Sequence, residues 1–365
     1  MRVKNIEIKN FRNYPDLDLK ITSDMVVLSG PNAVGKTNLL ESLYFASLFK
    51  SFRDDAEFIF LRGSDTAEIK MLVERKGEEH LVEVYLQKGD KIFANFKIDG
   101  VKKKRKEAQG YLRVVIFEPT DVDLFTKSPD ARRKYLNMIL AQKNLLYLEN
   151  LTQYKKVLTQ KNRLLQSGAQ ASGQGNSQGN SQSLDSWNEQ LVEYGSKIIF
   201  ERRNFFNFLN QNISEIYAAI SKFQRPVEAV YESLLGETVE EIAAAFTERL
   251  AQVAKKEKAV AMALVGPHRD DFFLQSEGLY LAPFSSRGEQ RSQVLALKIM
   301  ELEYLIDDGD KPILLLDDVL SELDETRRTF LLKYLQGKYQ AFITTTHPLE
   351  MVGQHVTLTP TAQQE

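Results

Sequence analysis

The segment GPNAVGKT, residues 30–37, constrains the fold of this chain more than any other feature. It fits the pattern G-x-x-x-x-G-K-[ST], in which backbone N–H groups surround phosphates, the lysine reaches the outer phosphates and the hydroxyl binds Mg²⁺. An apolar run precedes the segment and the helix-like NLLESLYFASLF follows it. This strand–loop–helix context favours a nucleotide site over a chance glycine turn. The residues expected to contact the nucleotide here are Gly30, Pro31, Asn32, Ala33, Val34, Gly35, Lys36, Thr37 and Asn38.

Composition limits the other classes of function. The chain has 365 residues, no cysteine and four histidines that lie far apart in sequence. Disulfides, thiolate zinc sites and cysteine nucleophiles are therefore excluded, and a reducing, cytoplasmic compartment is expected. No apolar run is long enough to cross a bilayer, and the opening MRVKNIEIKNF alternates like a strand rather than a signal peptide. With a net charge of −2, any DNA-binding surface must be a local patch.

A second motif lies in KPILLLDDVLSELDETRR, residues 311–328. Its apolar run is typical of a buried parallel strand, and it ends on Asp317 and Asp318. In α/β sheets this edge holds ligands, so Asp317 is expected to hold Mg²⁺ and Asp318 to orient or deprotonate the attacking water. Taken alone, the pair also fits an exposed acidic end of a strand.

The third motif, Ser286-Arg287-Gly288-Glu289, stands just before an amphipathic helix. Ser286 can cap that helix, and the free N–H groups of a helix start bind phosphate. Because the chain already has its own phosphate loop, a spare anion site makes sense if it closes on the nucleotide of a second copy. Taken alone, the segment is an ordinary capped helix.

The order of patterns along the chain predicts three segments. Residues 1–125 read as strands and turns around one helix, and are expected to form the first part of a compact head with a β-rich lobe. Residues 126–260 read as a helical arm, whose Gly/Ser/Gln/Asn tract over 167–183 is expected to be a flexible loop. Strand–helix alternation returns over residues 261–365, the second part of the head.

These motifs in this order resemble the ABC-type ATPase heads of the SMC/Rad50/RecF group. Within that group the chain is most similar to the RecF family of bacterial recombination mediators. The similarity rests on IKNFRNY, GPNAVGKTNLLES, KSFR, FEPTDVDLF, SPDARRKYLN, KNRLL, GPHRDDF, SSRGEQRS and LLLDDVLSELD. The resemblance implies an α/β P-loop head with a mixed sheet and helices, carrying the helical insertion as a second domain. Ala33 and Glu289 depart from it, because the family usually has glycine and glutamine there.

The resemblance also implies roles for particular residues. Lys36 and Thr37 would bind phosphate and Mg²⁺, with Asp317 as the second metal-side group and Asp318 as the catalytic carboxylate. His347 would be the switch histidine that senses the γ-phosphate, although a histidine at a strand end is often structural. The residues expected to act on the nucleotide of a second copy are Ser286, Gly288 and Arg291. Ser321 and Asp324 would form a dimer-contact loop, and Arg12 and Asn13 would approach the adenine or ribose.

DNA contacts are assigned to basic runs. The candidates are Lys102, Lys103, Lys104, Arg105, Arg132 and Arg133. A charge run is also typical of a merely solvated face, and that alternative stays open. Contacts of this kind would bind phosphates with little sequence preference and strong salt dependence.

The implied function is a cytoplasmic ATPase of DNA repair, replication and recombination, including the SOS response. It would dimerise around ATP and Mg²⁺ on gapped or double-stranded DNA, hydrolyse ATP slowly with stimulation by DNA, and promote recombinase loading at gaps. RecR- and RecO-type mediators and a RecA-type recombinase are the expected partners. A metabolic kinase would not need the third motif, and a transporter subunit would need a membrane partner. Another SMC- or Rad50-like head in DNA maintenance is the nearest alternative, although a Rad50-type hook needs cysteines.

Overall fold

The computed structural model describes residues 1–53, 56–90, 92–170, 177–221, 225–346 and 352–359. The strands of this described part, in chain order, are β1 (Arg2–Phe11), β2 (Tyr14–Lys20), β3 (Met25–Ser29), β4 (Thr66–Arg75), β5 (Glu78–Gln87), β6 (Phe93–Ile98), β7 (Val101–Lys103), β8 (Val114–Phe117), β9 (Glu228–Glu232), β10 (Asp271–Ser276), β11 (Leu279–Tyr280), β12 (Ile313–Asp317), β13 (Ala341–Thr345) and β14 (Gln354–Thr357). Its α-helices are α1 (Lys36–Leu48), α2 (Arg105–Ala108), α3 (Pro129–Lys143), α4 (Leu145–Gln170), α5 (Ser177–Ser221), α6 (Val239–Val260), α7 (Arg287–Tyr304), α8 (Val319–Glu322) and α9 (Glu325–Leu335).

The chain forms two compact units whose boundaries differ from the predicted segments. The first unit comprises Met1–Asp123, Glu215–Gln224 and Ser285–Glu365, and the second comprises Leu124–Ser214 and Arg225–Phe284. Residues 261–284 were expected in the head but belong to the second unit, because β10 pairs antiparallel with β9 there. The assignment of a function to each unit stays a prediction.

A five-stranded parallel sheet forms the centre of the first unit, in the order β14-β3-β13-β12-β8. Its inner strands are buried along almost their whole length, as expected for a parallel sheet covered on both faces. In the register of the ladder Asp317 lies opposite Thr344, and Thr345 lies opposite Ser29. The carboxyl ends of β3, β12 and β13 therefore meet at one edge of the sheet.

The second sheet of the first unit is antiparallel, in the order β2-β1-β4-β5-β6-β7. Buried and partly exposed residues alternate along β4, from Ala67 to Val73, so one face of the sheet packs on apolar residues. The strands predicted from alternation over residues 1–125 are confirmed. The expected mixed sheet is divided between this antiparallel sheet and the parallel one.

Helices α3, α4 and α6 and most of α5 belong to the second unit, together with the sheet β11-β10-β9. Helix α6 lies within the segment 126–260 that was predicted to be helical, and its start is capped by Thr238 and Glu241 in a reciprocal pair of hydrogen bonds.

The loop predicted over 167–183 is wrong for the part of it that is described. Helix α4 continues to Gln170 and α5 begins at Ser177, while residues 171–176 lie outside the described residues. Extending an existing helix costs less than starting one, so the polar ends of this tract continue the helices that flank them.

A buried guanidinium organises the polar core of the second unit. The side chain of Arg202 donates to Asp270 Oδ2 at 3.0 Å, to the Pro267 carbonyl at 2.7 Å and to Asn137 Oδ1 at 3.0 Å. Since only 1% of Arg202 is exposed, these bonds replace its hydration and connect α3, α5 and the segment before β10.

Candidate nucleotide site

The phosphate loop, residues 30–37, connects β3 to α1 as the sequence predicts. Its backbone is left-handed at Gly35, with a φ of 111°, and a Cβ there would lie 2.6 Å from the Asn13 side chain. Ala33 is also left-handed, with a φ of 66°, and it is not a glycine. For a residue with a Cβ this conformation costs about 1–2 kcal/mol. The loop is therefore held in a strained conformation at Ala33.

Lys36 and Thr37 open α1 and point to different partners. The buried Lys36 ammonium donates to the carbonyls of Gly30 at 2.7 Å and Pro31 at 2.8 Å. The Thr37 hydroxyl donates to Asp317 Oδ1 at 2.8 Å. The loop and the end of β12, which are 280 residues apart in sequence, thus meet through a hydroxyl and a carboxylate.

The carboxylates of Asp317 and Asp318, at the end of β12, have different surroundings. Asp317 Oδ1 accepts a second hydrogen bond from the Thr344 hydroxyl at 2.9 Å. Asp318 follows in a left-handed conformation, with a φ of 53°, and its N–H donates to Thr344 Oγ1 at 2.8 Å. Asp317 is thereby fixed between two hydroxyls, and the turn at Asp318 gives the second carboxylate a separate place beside the loop.

These groups line one cleft of about 360 Å³. Its lining residues are Asn32, Ala33, Gly35, Lys36, Thr37, Asn38, Arg53, Asp317, Asp318, Thr344 and Thr346. Arg53, Thr344 and Thr346 were not predicted as site residues. The segment KSFR supports the family resemblance but assigns no role to its arginine, and a threonine after an apolar strand carries too little signal to be selected. Arg53 donates to Asn38 Oδ1 at 3.0 Å, which brings its charge to this cleft.

Arg12 and Asn13 lie beside the loop and do not line this cleft. The Arg12 guanidinium makes two hydrogen bonds to the buried Glu41 carboxylate, at 2.9 and 2.6 Å. Asn13 donates to the Val34 carbonyl at 2.9 Å and accepts from the Asn38 amide at 2.8 Å. Both residues therefore brace the loop and the start of α1, and their predicted contact with the adenine or ribose stays a prediction.

The third motif caps α7 as expected. Ser286 Oγ accepts from the Glu289 N–H at 3.3 Å, while the Glu289 carboxylate accepts from the N–H and the hydroxyl of Ser286 at 2.7 and 2.8 Å. Arg291 donates to Glu322 Oε2 at 2.6 Å, in the segment that contains Ser321 and Asp324. Neither Ser286, Gly288 nor Arg291 is among the residues that line the nucleotide cleft.

The remaining predicted residues divide into three cases. His347 lies outside the described residues. Lys102 and Lys104 are exposed, Lys103 is partly exposed, and the Arg105 guanidinium donates to the Phe49 carbonyl at 2.9 Å. Arg133 donates to the Asp270 carbonyl at 3.0 Å.

The prediction of a DNA contact is wrong for Arg132. Only 8% of this residue is exposed, and its guanidinium donates to both carboxylate oxygens of Asp271, at 2.6 and 2.7 Å. Its third nitrogen donates to carbonyls that include Lys127, at 2.7 Å. Helical spacing explains the position, because Arg132 shares a face of α3 with the buried Leu136 and Ile139.

Comparison with known proteins defines the class of this fold and site. The family model described as the RecF/RecN/SMC N terminal domain matches residues 2–365. A solved SMC head bound to the C-winged helix domain of ScpA is 13% identical, with a TM-score of 0.56 over 98% of this chain and 94% of that chain. This likeness concerns the fold alone and supports the predicted α/β head.

Closer relatives narrow the class to one family. The DNA replication and repair protein RecF of Lachnoclostridium phytofermentans is 36% identical over 361 residues, 98% of this chain and 96% of that protein. The protein of the same name from Bacillus cytotoxicus is 36% identical over 95% of this chain and 92% of its own. The solved structure of the recombination mediator protein RecF-ATP in the RecFOR pathway is 32% identical, with a TM-score of 0.87 over 98% of this chain and 95% of that chain. The chain belongs to the RecF family, as the resemblance predicted.

No helix among the described residues combines the length and apolar character needed to cross a membrane.

Proposed function

We propose that this chain is an ATPase that dimerises around ATP on gapped or double-stranded DNA, in recombinational repair and replication. The observation that carries the proposal is the meeting of Lys36, Thr37 and Asp317 in one cleft, while Ser286 caps a helix outside that cleft. Relatives at 36% identity are named DNA replication and repair protein RecF, and one solved relative is described as RecF-ATP.

The described residues fit ATP with Mg²⁺. A hydroxyl and a carboxylate are oxygen ligands of the kind that Mg²⁺ takes from proteins, and Thr37 Oγ1 and Asp317 Oδ1 meet in this cleft at 2.8 Å. These two residues would hold the ion. Magnesium-bound ATP would supply the transferable phosphoryl group, and the Lys36 ammonium would exchange its two loop carbonyls for phosphate oxygens.

Asp318 is the proposed catalytic carboxylate. It lines the cleft beside Thr37 and Asp317, and its backbone conformation separates it from the metal-side group. A carboxylate in this place can orient the attacking water or accept its proton. We expect slow hydrolysis that DNA stimulates, with His347 as a further sensor of the γ-phosphate.

The start of α7 is the proposed contact with the ATP of a second copy. A helix start favours anions through its N–H groups and its dipole. Ser286, Gly288 and Arg291 stand at or near this start without lining the chain's own cleft. In the proposed dimer the α7 start of each chain binds the ATP phosphates of the other copy through these residues. Ser321 and Asp324 would lie at the interface between the two chains.

In the cell we propose that the ATP dimer binds DNA at single-strand gaps and helps a RecA-type recombinase to load there, in the cytoplasm. Mediators of the RecR and RecO type are the proposed protein partners. The support is the family membership, together with a solved relative that is described as a recombination mediator protein in the RecFOR pathway.

Sedimentation with and without ATP, and then with gapped DNA, tests this proposal. The wild type should sediment as a monomer without nucleotide and as a dimer with ATP. Ser286→Arg should stay monomeric while binding ATP normally, because the bulky cation blocks the α7 start but not the chain's own cleft. Gln252→Arg, on the exposed side of α6, adds the same charge elsewhere and should dimerise like the wild type. A dimer without ATP, or one formed by Ser286→Arg, would contradict the proposal.

A further inference from the structure

A second cleft, of about 190 Å³, lies within the second unit. Helices α3 and α4 form its walls, and Pro267 and His268 close it. It is lined by parts of SPDARRKYLN and GPHRDDF, two motifs noted in the sequence that the nucleotide site does not use, and by residues of α4. We call it the arm cleft.

The rim of the arm cleft carries more positive than negative charge. Arg133 and Lys134 reach it from α3 and Lys155 from α4, against the single carboxylate of Asp130. Asp130 lies 2.8 Å from the Lys134 ammonium and 3.8 Å from Arg133. Lys155 is exposed, and its charge also acts on Asp130, so one carboxylate faces three cations. Arg202 also lines the cleft, but its charge is offset by Asp270.

One amide in the arm cleft has a fixed orientation. Asn137 Oδ1 accepts from the Tyr147 hydroxyl at 2.7 Å and from Arg202 at 3.0 Å. These two donors identify the oxygen of the amide and leave its Nδ2–H groups without an acceptor among the described residues. Asn137 therefore offers N–H donors to an anion at this cleft.

The Tyr154 and His268 side chains in the cleft are polar and uncharged, and each has a hydrogen-bond partner within the protein. The Tyr154 hydroxyl lies 2.6 Å from His268 Nδ1, and His268 Nε2 lies 3.2 Å from the Ala263 carbonyl. Because the carbonyl only accepts, Nε2 carries the proton and Nδ1 accepts from Tyr154. Burial lowers the pKa of His268 to about 4, so the ring adds no charge at neutral pH. Recognition in this cleft thus depends on its rim cations and on Asn137.

We propose that the arm cleft binds a single phosphate group of a DNA strand, held by Lys134, Lys155, Arg133 and the Asn137 amide. This inference rests on the proposed DNA-binding function and adds a contact separate from the basic run at Lys102–Arg105. The excess of cations and the free N–H donors match a phosphate oxygen set. A cleft of this size admits one phosphate with its sugar, and the Leu151 and Leu158 side chains give the sugar an apolar wall.

Fluorescence anisotropy of the full chain with ATP, on labelled duplex and gapped DNA across a salt series, tests the assignment. The double variant Lys134→Gln with Lys155→Gln removes two rim charges. The control, Lys156→Gln with Lys256→Gln, removes two exposed charges outside the cleft. Each lost phosphate contact should flatten the plot of log binding constant against log salt by about 0.9 and weaken binding about tenfold near 0.1 M salt, so a dimer that uses both arm clefts should lose about 1.8 in slope. The control should keep the wild-type slope, and both variants should melt like the wild type.

Other results would contradict either the assignment of the arm cleft or the proposed DNA-binding function. If wild-type DNA binding is normal and the cleft variant keeps the wild-type slope, the arm cleft is not a DNA contact. A wild-type chain that binds no DNA with ATP would remove the proposed function, and this inference with it. Titrations with inorganic phosphate and with polyglutamate at constant ionic strength show whether the arm cleft binds free phosphate or an acidic peptide rather than DNA. If the cleft variant loses binding to either of them but keeps its DNA slope, the ligand is a free phosphate or an acidic peptide instead.

Discussion

The starts of helices α1 and α7 both favour an anion, but α7 has a side-chain cap and α1 has none. Helix α1 follows Gly35, which has no side chain, so the helix begins without a side-chain cap. Helix α7 follows Ser286, and Ser286 and Glu289 cap each other's backbone N–H groups. Both starts carry the positive end of a helix dipole. At α7 a carboxylate of the same chain accepts from a backbone N–H, whereas at α1 the Asp317 carboxylate accepts from the Thr37 hydroxyl.

The difference between these two starts predicts an order of events. A reciprocal cap of this kind stabilises a helix by about 1 kcal/mol, and it satisfies N–H groups that would otherwise bind an anion. In the proposed dimer, ATP that binds at α1 meets no side-chain cap, and the Lys36 ammonium only exchanges its two loop carbonyls for phosphate oxygens. A phosphate that approaches α7 of the other copy must compete with the Glu289 carboxylate. We therefore expect nucleotide binding by one chain to precede closure of the dimer.

The largest expected effect is on ATP hydrolysis, and it comes from a substitution beside α1 that should leave ATP binding unchanged. Asp318→Asn removes the carboxylate proposed to orient or deprotonate water, while Lys36, Thr37 and Asp317 remain. Turnover should fall about a hundredfold or more, and the ATP dimer should still form, because loss of a general base acts on hydrolysis. Steady-state phosphate release and sedimentation with ATP measure the two quantities on the same preparation.

Lys36→Met is the matched control for that experiment. It removes the ammonium at the start of α1, so ATP binding and the dimer should be lost together. If Asp318→Asn turns over within a few-fold of the wild type, Asp318 is not the catalytic carboxylate. If Asp318→Asn loses the dimer as Lys36→Met does, the residue acts in binding.

Sequence patterns predicted these two helix starts because each depends on neighbours in the chain. The phosphate loop, the serine cap and the buried strand before Asp317 are all local, and the structure has them where they were expected. Partners far away in sequence could not be predicted in the same way. The basic neighbours of Arg132 predict a DNA contact, but its carboxylate partner, Asp271, lies 139 residues away in sequence. Its spacing to Leu136 and Ile139 was the one local sign that it faces the core.

A smaller effect is expected when the cap of α7 loses its charge. Glu289→Gln keeps a side chain that can accept from the Ser286 N–H but removes the competing carboxylate. Electrostatic interactions at a helix start are worth about 0.3–1 kcal/mol, and the proposed dimer contains two such starts, so the ATP dimer should become about three- to thirtyfold tighter. The affinity of a single chain for ATP should not change, since Glu289 does not line the nucleotide cleft. Sedimentation equilibrium with ATP gives the dimer constant.

Glu240→Gln provides the comparison for the α7 cap. This glutamate stands in the first turn of α6, in the second unit, so its loss changes a helix dipole without touching the proposed dimer contact. Its dimer constant should equal that of the wild type. A Glu289→Gln dimer that is weaker than the wild type would mean that the carboxylate helps closure, and the difference between α1 and α7 would then lose its functional meaning.

The smallest expected effect concerns the strain at the uncapped start of α1. Ala33 is left-handed, which costs about 1–2 kcal/mol, while glycine adopts this conformation freely but loses about 0.5–1 kcal/mol more than alanine through unfolded-state entropy. Ala33→Gly should therefore raise the free energy of unfolding by about 0.5 kcal/mol, seen as a slightly higher thermal midpoint. Ala244→Gly, at an exposed position inside α6, should lower it by about 1 kcal/mol, because glycine there has only its entropic cost. If the two glycine substitutions change the free energy of unfolding in opposite directions, the strain lies in the loop at Ala33. If both lower it, the loop is not strained at Ala33.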